Sequence, residues 1–321
     1  MSYDLLADRD DLVRRCISSL STLESRGVYA PEGTFSGRIL MRRGYSPDRP
    51  AVIASNGGGC YPLSAGYLGE NMADASVNGN VRCAPSAYDI YEAARIMNCR
   101  RGCILIYNHF MGDYLNNDMA QELLALEGIP SIQVPCRDDC FSAPGTCRSE
   151  RTGLTGILYM IRIASMCASS GMELPEIQKV LDKAAGRLAT VTMTLDHGNR
   201  KVMLGAGFSG EPPHVVRDDC FSPEAAAALA LDTLVRDLKP QSGEKLYLMV
   251  SRLVQTMPED GLIFASELKR QASAVGPLGT VSAGCYTYLL NDHGFFVTML
   301  CADETLQPYM GEAFHPEGFV V

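Results

Sequence analysis

Short apolar runs that end in glycine or polar clusters, spaced by stretches of helical period, limit this chain's folding choices more than any other feature. Ala51-Val52-Ile53-Ala54 is one such run, and it empties into Ser55-Asn56-Gly57-Gly58-Gly59. That is the pattern of a strand buried on both faces and running into a tight turn. Cys103 to Tyr107 repeats the pattern ahead of Asn108-His109-Phe110-Met111-Gly112-Asp113, and Ser131 to Pro135 supplies a third strand. Between them, Ser86 and Asp89 make a capping box continued by Ile90, Ala93, Ala94 and Met97 on one helical face. Met119, Leu123, Leu124 and Leu126 mark another helix stopped by Gly128, and Leu12 to Leu23 forms an amphipathic opening helix. Strands alternating with helices predict a doubly wound, mostly parallel sheet.

A chain of 321 residues is long enough for two domains. Residues 153–187 read as two helices joined near Gly171, and the boundary is placed just after them. The expected division is an α/β domain over 1–188, carrying the glycine-rich turn, and a second α/β domain over 189–321. In the second, two strands flank the turn Asp196-His197-Gly198-Asn199. Helical patterns follow at 223–238 and 262–274, with apolar strands at 246–250, 280–283 and 295–301.

The formal charge of -9 sets a repulsive field before polyanions, which argues against nucleic-acid or anionic-lipid partners and for a small ligand. No window reaches the roughly eighteen apolar residues of a membrane span, and the first residues lack the apolar core of a secretory signal. A cytoplasmic setting with reduced thiols is therefore expected for the twelve cysteines. Their spacings lack the CxxC pairs of structural zinc sites, so no metal site is expected.

In open α/β sheets, ligands sit beyond the carboxyl ends of the strands, where loops and helix N-termini converge. Gly57, Gly58 and Gly59 would let the backbone approach a small hydroxylated ligand, or serve only as a turn. Asp113, after Gly and ahead of a helix, reads more often as a helix cap than as a base.

The order of these segments resembles the substrate-binding subunit of the dihydroxyacetone kinase family across nearly the whole chain. Ser55 to Gly69 resembles its glycine-rich GGGSGHEP segment with the following GY-x-G, with Cys60 where the family has histidine. Ala84-Pro85-Ser86 resembles its TSPT, and Asn108 to Asn116 resembles its KNYTGD-x-LN, so that Asp113 matches and Asn108 replaces lysine. Gly205 to Pro212 resembles its G-x-G-I-H-G-E-P with Ser209 in place of the second histidine, and Asp303 to Leu306 resembles its closing DDETL.

The resemblance implies a subunit that presents a hydroxyl of a small ketose for phosphorylation. In the family one histidine binds the ketone covalently, while the second and the aspartate act as acid and base. ATP or ADP with magnesium is expected on a separate nucleotide-binding subunit, with no cofactor in this chain, and a homodimer is expected. Of the four positions only Asp113 is retained, so Asp113 is the expected catalytic residue. Gly57, Gly58, Gly59, Cys60, Asn108, His109 and Ser209 are the expected substrate-binding residues, with binding noncovalent. Cys60 reads either as a thiol nucleophile or as a small packing residue. His109, inside the Asp113 loop, and His214, shortly after Ser209, are the histidines placed to compensate. The losses equally fit a catalytically inactive relative that senses a metabolite or co-activates a regulator.

Overall fold

The structure is a computed structural model that describes residues 9–23, 27–58, 64–207, 211–287 and 293–311. The chain divides into two compact units. Among the described residues, one is formed by those through Pro135 together with Ala164–Lys179, and the other by Cys136–Ile163 together with residues 180–311.

The first unit opens with helix α1 (Arg9–Thr22) and a sheet of β1 (Val28–Tyr29), β2 (Ile39–Arg42), β3 (Ala51–Gly58), β4 (Ala75–Val81), β5 (Cys103–Asn108) and β6 (Ser131–Cys136), in the order β1-β2-β4-β3-β5-β6. β3 runs parallel to both β4 and β5, while β2 pairs antiparallel with β1 and β4. Helices α2 (Ala87–Ile96) and α3 (Met111–Leu126) share a core with one face, where Ile53, Val77, Ile90, Ala94, Leu105 and Leu124 are buried. Val13, Ile17 and Leu20 of α1 pack against Val28 and Leu40. Burying each large aliphatic side chain contributes roughly 1.5–3 kcal/mol, and apolar surface on both faces is what holds a parallel sheet together.

The apolar runs around β3, β5 and β6 become strands, and Ser86 caps α2 by accepting from the Asp89 amide at 3.1 Å. The hydrophobic pattern did not mark β1, β2 or β4, and in β4 the sequence ASVNGNV is interrupted by Asn and Gly. A buried carboxylate fixes its start. Asp74 accepts from Arg42, from both terminal nitrogens of Arg49 and from the Val52 amide at 2.6–2.9 Å, so the desolvated charge is fully bonded.

Helices α4 (Ile157–Ser169) and α5 (Leu174–Gly186), separated by Gly171 at φ 84°, follow as the sequence predicts. The second unit's sheet contains β7 (Leu188–Asp196), β8 (Lys201–Leu204), β9 (Val215–Arg217), β10 (Lys245–Arg252), β11 (Leu278–Gly284) and β12 (Gly294–Ala302), in the order β11-β10-β12-β7-β8-β9. It is antiparallel except where β10 meets β11. Helices α6 (Pro223–Leu238) and α7 (Pro258–Ala272) bury Ala227, Leu234, Phe264 and Leu268 against Val191, Leu248, Val250 and Val297. Asp138 organises this unit from within, accepting from the amides of Leu154 and Gly156 at 2.6 and 2.7 Å and from the Thr190 hydroxyl.

Candidate functional site

Asparagines end or nearly end three adjacent strands of the first sheet. Asn56 of β3 lies in register with Asn78 of β4, and the Asn56 Oδ1 accepts the backbone N–H of Asn108, the last residue of β5, at 2.9 Å. This row lies at the carboxyl ends of parallel strands, where α/β sheets bind their ligands. Asn78 donates to the Arg38 carbonyl and the Ser76 hydroxyl, each at 3.2 Å, but its Oδ1 has no partner. The Oδ1 atoms of Asn80 and Asn108 are likewise buried without a hydrogen bond. Asn78 and Asn80 were not anticipated from the sequence, because β4 itself was not. The available signal was an Asn closing each neighbouring apolar strand.

The chain from Cys83 to Pro85 lies against these strand ends. A Cβ at Gly57 would come within 2.8 Å of the Cys83 carbonyl, and one at Gly79 within 1.9 Å. Glycine at 57 is thus required by the fold's own backbone. Asn56 to Gly58 are moreover the last residues of β3 rather than a free loop. Pro85 in turn offers its carbonyl to Asn116 of α3 at 2.8 Å.

α3 begins three residues after β5, and Phe110 holds its N-cap position without a side-chain hydrogen bond. Asp113 therefore lies in the first helical turn and is not the cap. Asn117, one turn later, accepts from the buried Ser55 hydroxyl at 3.1 Å and donates to the Asp113 carbonyl at 2.8 Å, tying the start of α3 to the end of β3. The buried residues of α3 are Asp113, Asn117, Ala120 and Leu124, whereas Met119 and Leu126, read as part of the apolar face, are exposed.

Asp113 is 7% exposed, and its Oδ1 has no hydrogen-bond partner. Desolvation pushes its carboxyl up from the ordinary 3.8 to about 7, opposed by its own backbone N–H. A carboxyl with that proton affinity and a free oxygen at a strand-end site is suited to general base chemistry near neutrality.

The Dak1 domain family matches residues 32–317. The chain belongs to that family. Among Dak1 relatives, a dihydroxyacetone-binding subunit of a PTS-dependent dihydroxyacetone kinase from Listeria innocua is 24% identical over 310 residues, covering 92% of this chain and 93% of its own. An L-erythrulose 1-kinase of Mycolicibacterium smegmatis is 32% identical over 212 residues, 62% of this chain and 37% of that protein. The Citrobacter freundii dihydroxyacetone kinase, solved with AMP-PNP and magnesium, shares the fold at TM-score 0.82 and 23% identity, covering 96% of this chain and 59% of that one. The co-activator of a dihydroxyacetone kinase operon shares it at TM-score 0.81 and 21% identity, with coverage of 94% and 95%.

Of the site residues expected from the Dak1 resemblance, Gly57, Asn108, His109 and Asp113 fall in the first unit around the β3 and β5 ends, and Gly58 closes β3. Gly59, Cys60 and Ser209 lie outside the described residues. His109 sits edge-on to Tyr114 with ring centroids 6.0 Å apart. His214 stacks on Phe141 at 5.6 Å within the second unit. Among the described residues, no three His, Cys, Asp or Glu side chains gather to hold a metal ion, and no helix is long and apolar enough to cross a membrane.

Proposed function

We propose that this chain is the ligand-binding subunit of a dihydroxyacetone-kinase-type phosphotransferase, holding a small hydroxyketone noncovalently and presenting one hydroxyl to Asp113. The observation that carries this reading is the buried, unbonded Asp113 Oδ1, whose proton affinity lies near neutral pH. An ionised Oδ1 accepts the hydroxyl proton as that oxygen takes the phosphoryl group. ATP with magnesium, carried by a separate nucleotide-binding subunit, supplies that group. The unpartnered Oδ1 atoms of Asn78, Asn80 and Asn108 are acceptors for a ligand's other hydroxyls, and burial strengthens such bonds. Binding is noncovalent because Cys60 and Ser209 stand where the family has histidine, and an alcohol must lose its proton before it attacks a carbonyl. The working form in this reading is a cytoplasmic homodimer.

A second reading, a non-catalytic metabolite sensor or co-activator, is favoured by those same replacements together with Asn108 in place of the family lysine. One experiment separates the two. The purified chain is incubated with an ATP-loaded nucleotide-binding subunit and a panel of three- to five-carbon ketoses, with phosphorylated product followed by mass spectrometry. Product with at least one ketose supports the kinase. Saturable binding with no product from any sugar removes it and leaves the sensor.

A further inference from the structure

The second unit contains a pocket whose lining is remote in sequence from Asp113 and the strand-end asparagines. It has a volume of about 170 Å³ and opens between the N-terminal ends of α6 and α7. Val202, Ala226, Phe264 and Phe295 form its buried base, where the Phe264 and Phe295 rings stack at 4.4 Å and 10°. Leu195, Phe221 and Ile263 rise from that base toward solvent, and Ile263 is 54% exposed. A cavity of about 150 Å³ with a comparable apolar lining stays dry and takes up a benzene-sized molecule. The space here is suited to an aromatic ring or a short aliphatic body.

The rim decides what head group such a molecule carries. His197, Ser222 and Asp260 are the exposed polar residues of the lining. His293 sits beside His197 with ring centroids 5.1 Å apart, and the Arg200 guanidinium lies 5.0 Å over the Phe221 ring. A carboxylate head would meet Asp260. An ammonium head would meet Arg200 and the N-terminal end of α6, which carries partial positive charge. Each sign thus meets both an attracting and a repelling group at the rim while losing its hydration. A hydroxyl avoids that cost, because it can donate to Asp260 while accepting from Ser222, whose oxygen already accepts the Ala225 amide at 3.2 Å and whose own proton remains to be given.

We propose that this pocket is a second ligand site, which takes an uncharged hydroxylated apolar molecule of phenol or short-chain alcohol size. Its lining lies wholly within the second unit, whereas Asp113 belongs to the first. The test titrates the full chain with phenol, benzoate and benzylammonium by ligand-observed NMR, in the wild type and in Ala226→Leu, which fills the base. Ile263→Asp, at an exposed position where folding is little affected, serves as a second variant. The expected result is saturable phenol binding with a dissociation constant on the order of 1 mM, the scale open to so few atoms. Benzoate and benzylammonium should bind at least tenfold more weakly, and either variant should weaken phenol at least tenfold. Equal affinity for all three probes, no saturation with phenol, or phenol binding unchanged in Ile263→Asp would each overturn the proposal.

Discussion

Asp113 makes the fold less stable as pH rises toward neutrality. Its folded value near 7 lies above the ordinary 3.8, so between those two values the unfolded chain has given up a proton that the folded chain still holds. The contribution of this group to stability is therefore complete below about pH 4 and is lost as pH rises through 7, by about 4 kcal/mol. Asp113→Asn removes that titration. The variant should melt close to the wild type at pH 4 and several degrees above it at pH 8, as read by calorimetry, and turnover of any ketose should fall by at least a hundredfold. Equal slopes of melting temperature against pH in both proteins would take the perturbed titration away from Asp113. Asp113 was legible in the sequence because it follows glycine behind an apolar strand inside a recognisable motif. Asn78 and Asn80 were not legible, since an asparagine is marked as a site residue only once the strand that carries it is known. Asn117 was equally hidden, because its importance lies in bonding Ser55, which is distant in sequence.

At the scale of the element, β4 shows why periodicity found only part of the sheet. β3 and β5 announce themselves by unbroken apolar runs, whereas β4 combines buried Ala75 and Val77 with buried Ser76 and Asn78 and has glycine at 79. That glycine exists for tertiary reasons. The Cys83 carbonyl occupies the place of a Gly79 Cβ, and relief would require moving the 83–85 segment that also meets α3. Gly79→Ala should therefore cost more than about 3 kcal/mol in urea unfolding. Gly57→Ala, whose Cβ would stop 2.8 Å from the same carbonyl, should cost clearly less. The reverse ranking would mean that the segment yields easily and does not set the shape of the strand ends. α3 gives a parallel lesson. Met111, Leu115, Met119 and Leu126 face outward, while polar Asp113 and Asn117 are buried beside Ala120 and Leu124.

At the scale of the whole molecule, the proposed function requires a chain with Cys60 and Ser209 in place of the family's histidines to hold a ligand of few atoms. Buried acceptors that have no partner until a ligand arrives are one physical answer. Desolvating them has already been borne by folding, so each hydroxyl that reaches them gains nearly the full strength of its bond. The consequence is linked to pH. A hydroxyl donating to Asp113 favours the ionised carboxylate, so binding should draw the proton off this residue and strengthen as pH rises through about 7. A ligand at a hundred times its dissociation constant stabilises a protein by about 2.7 kcal/mol, a scale that thermal melting resolves. Dihydroxyacetone or erythrulose should then raise the melting temperature more at pH 8 than at pH 5 in the wild type, and equally at both in Asp113→Asn. Dialysis should return the melting temperature to its starting value, as a noncovalent complex requires. A shift that persists after exhaustive dialysis would instead point to a bond with a nucleophile such as Cys60. A shift in the wild type with no pH dependence would place the ligand's hydroxyls away from Asp113.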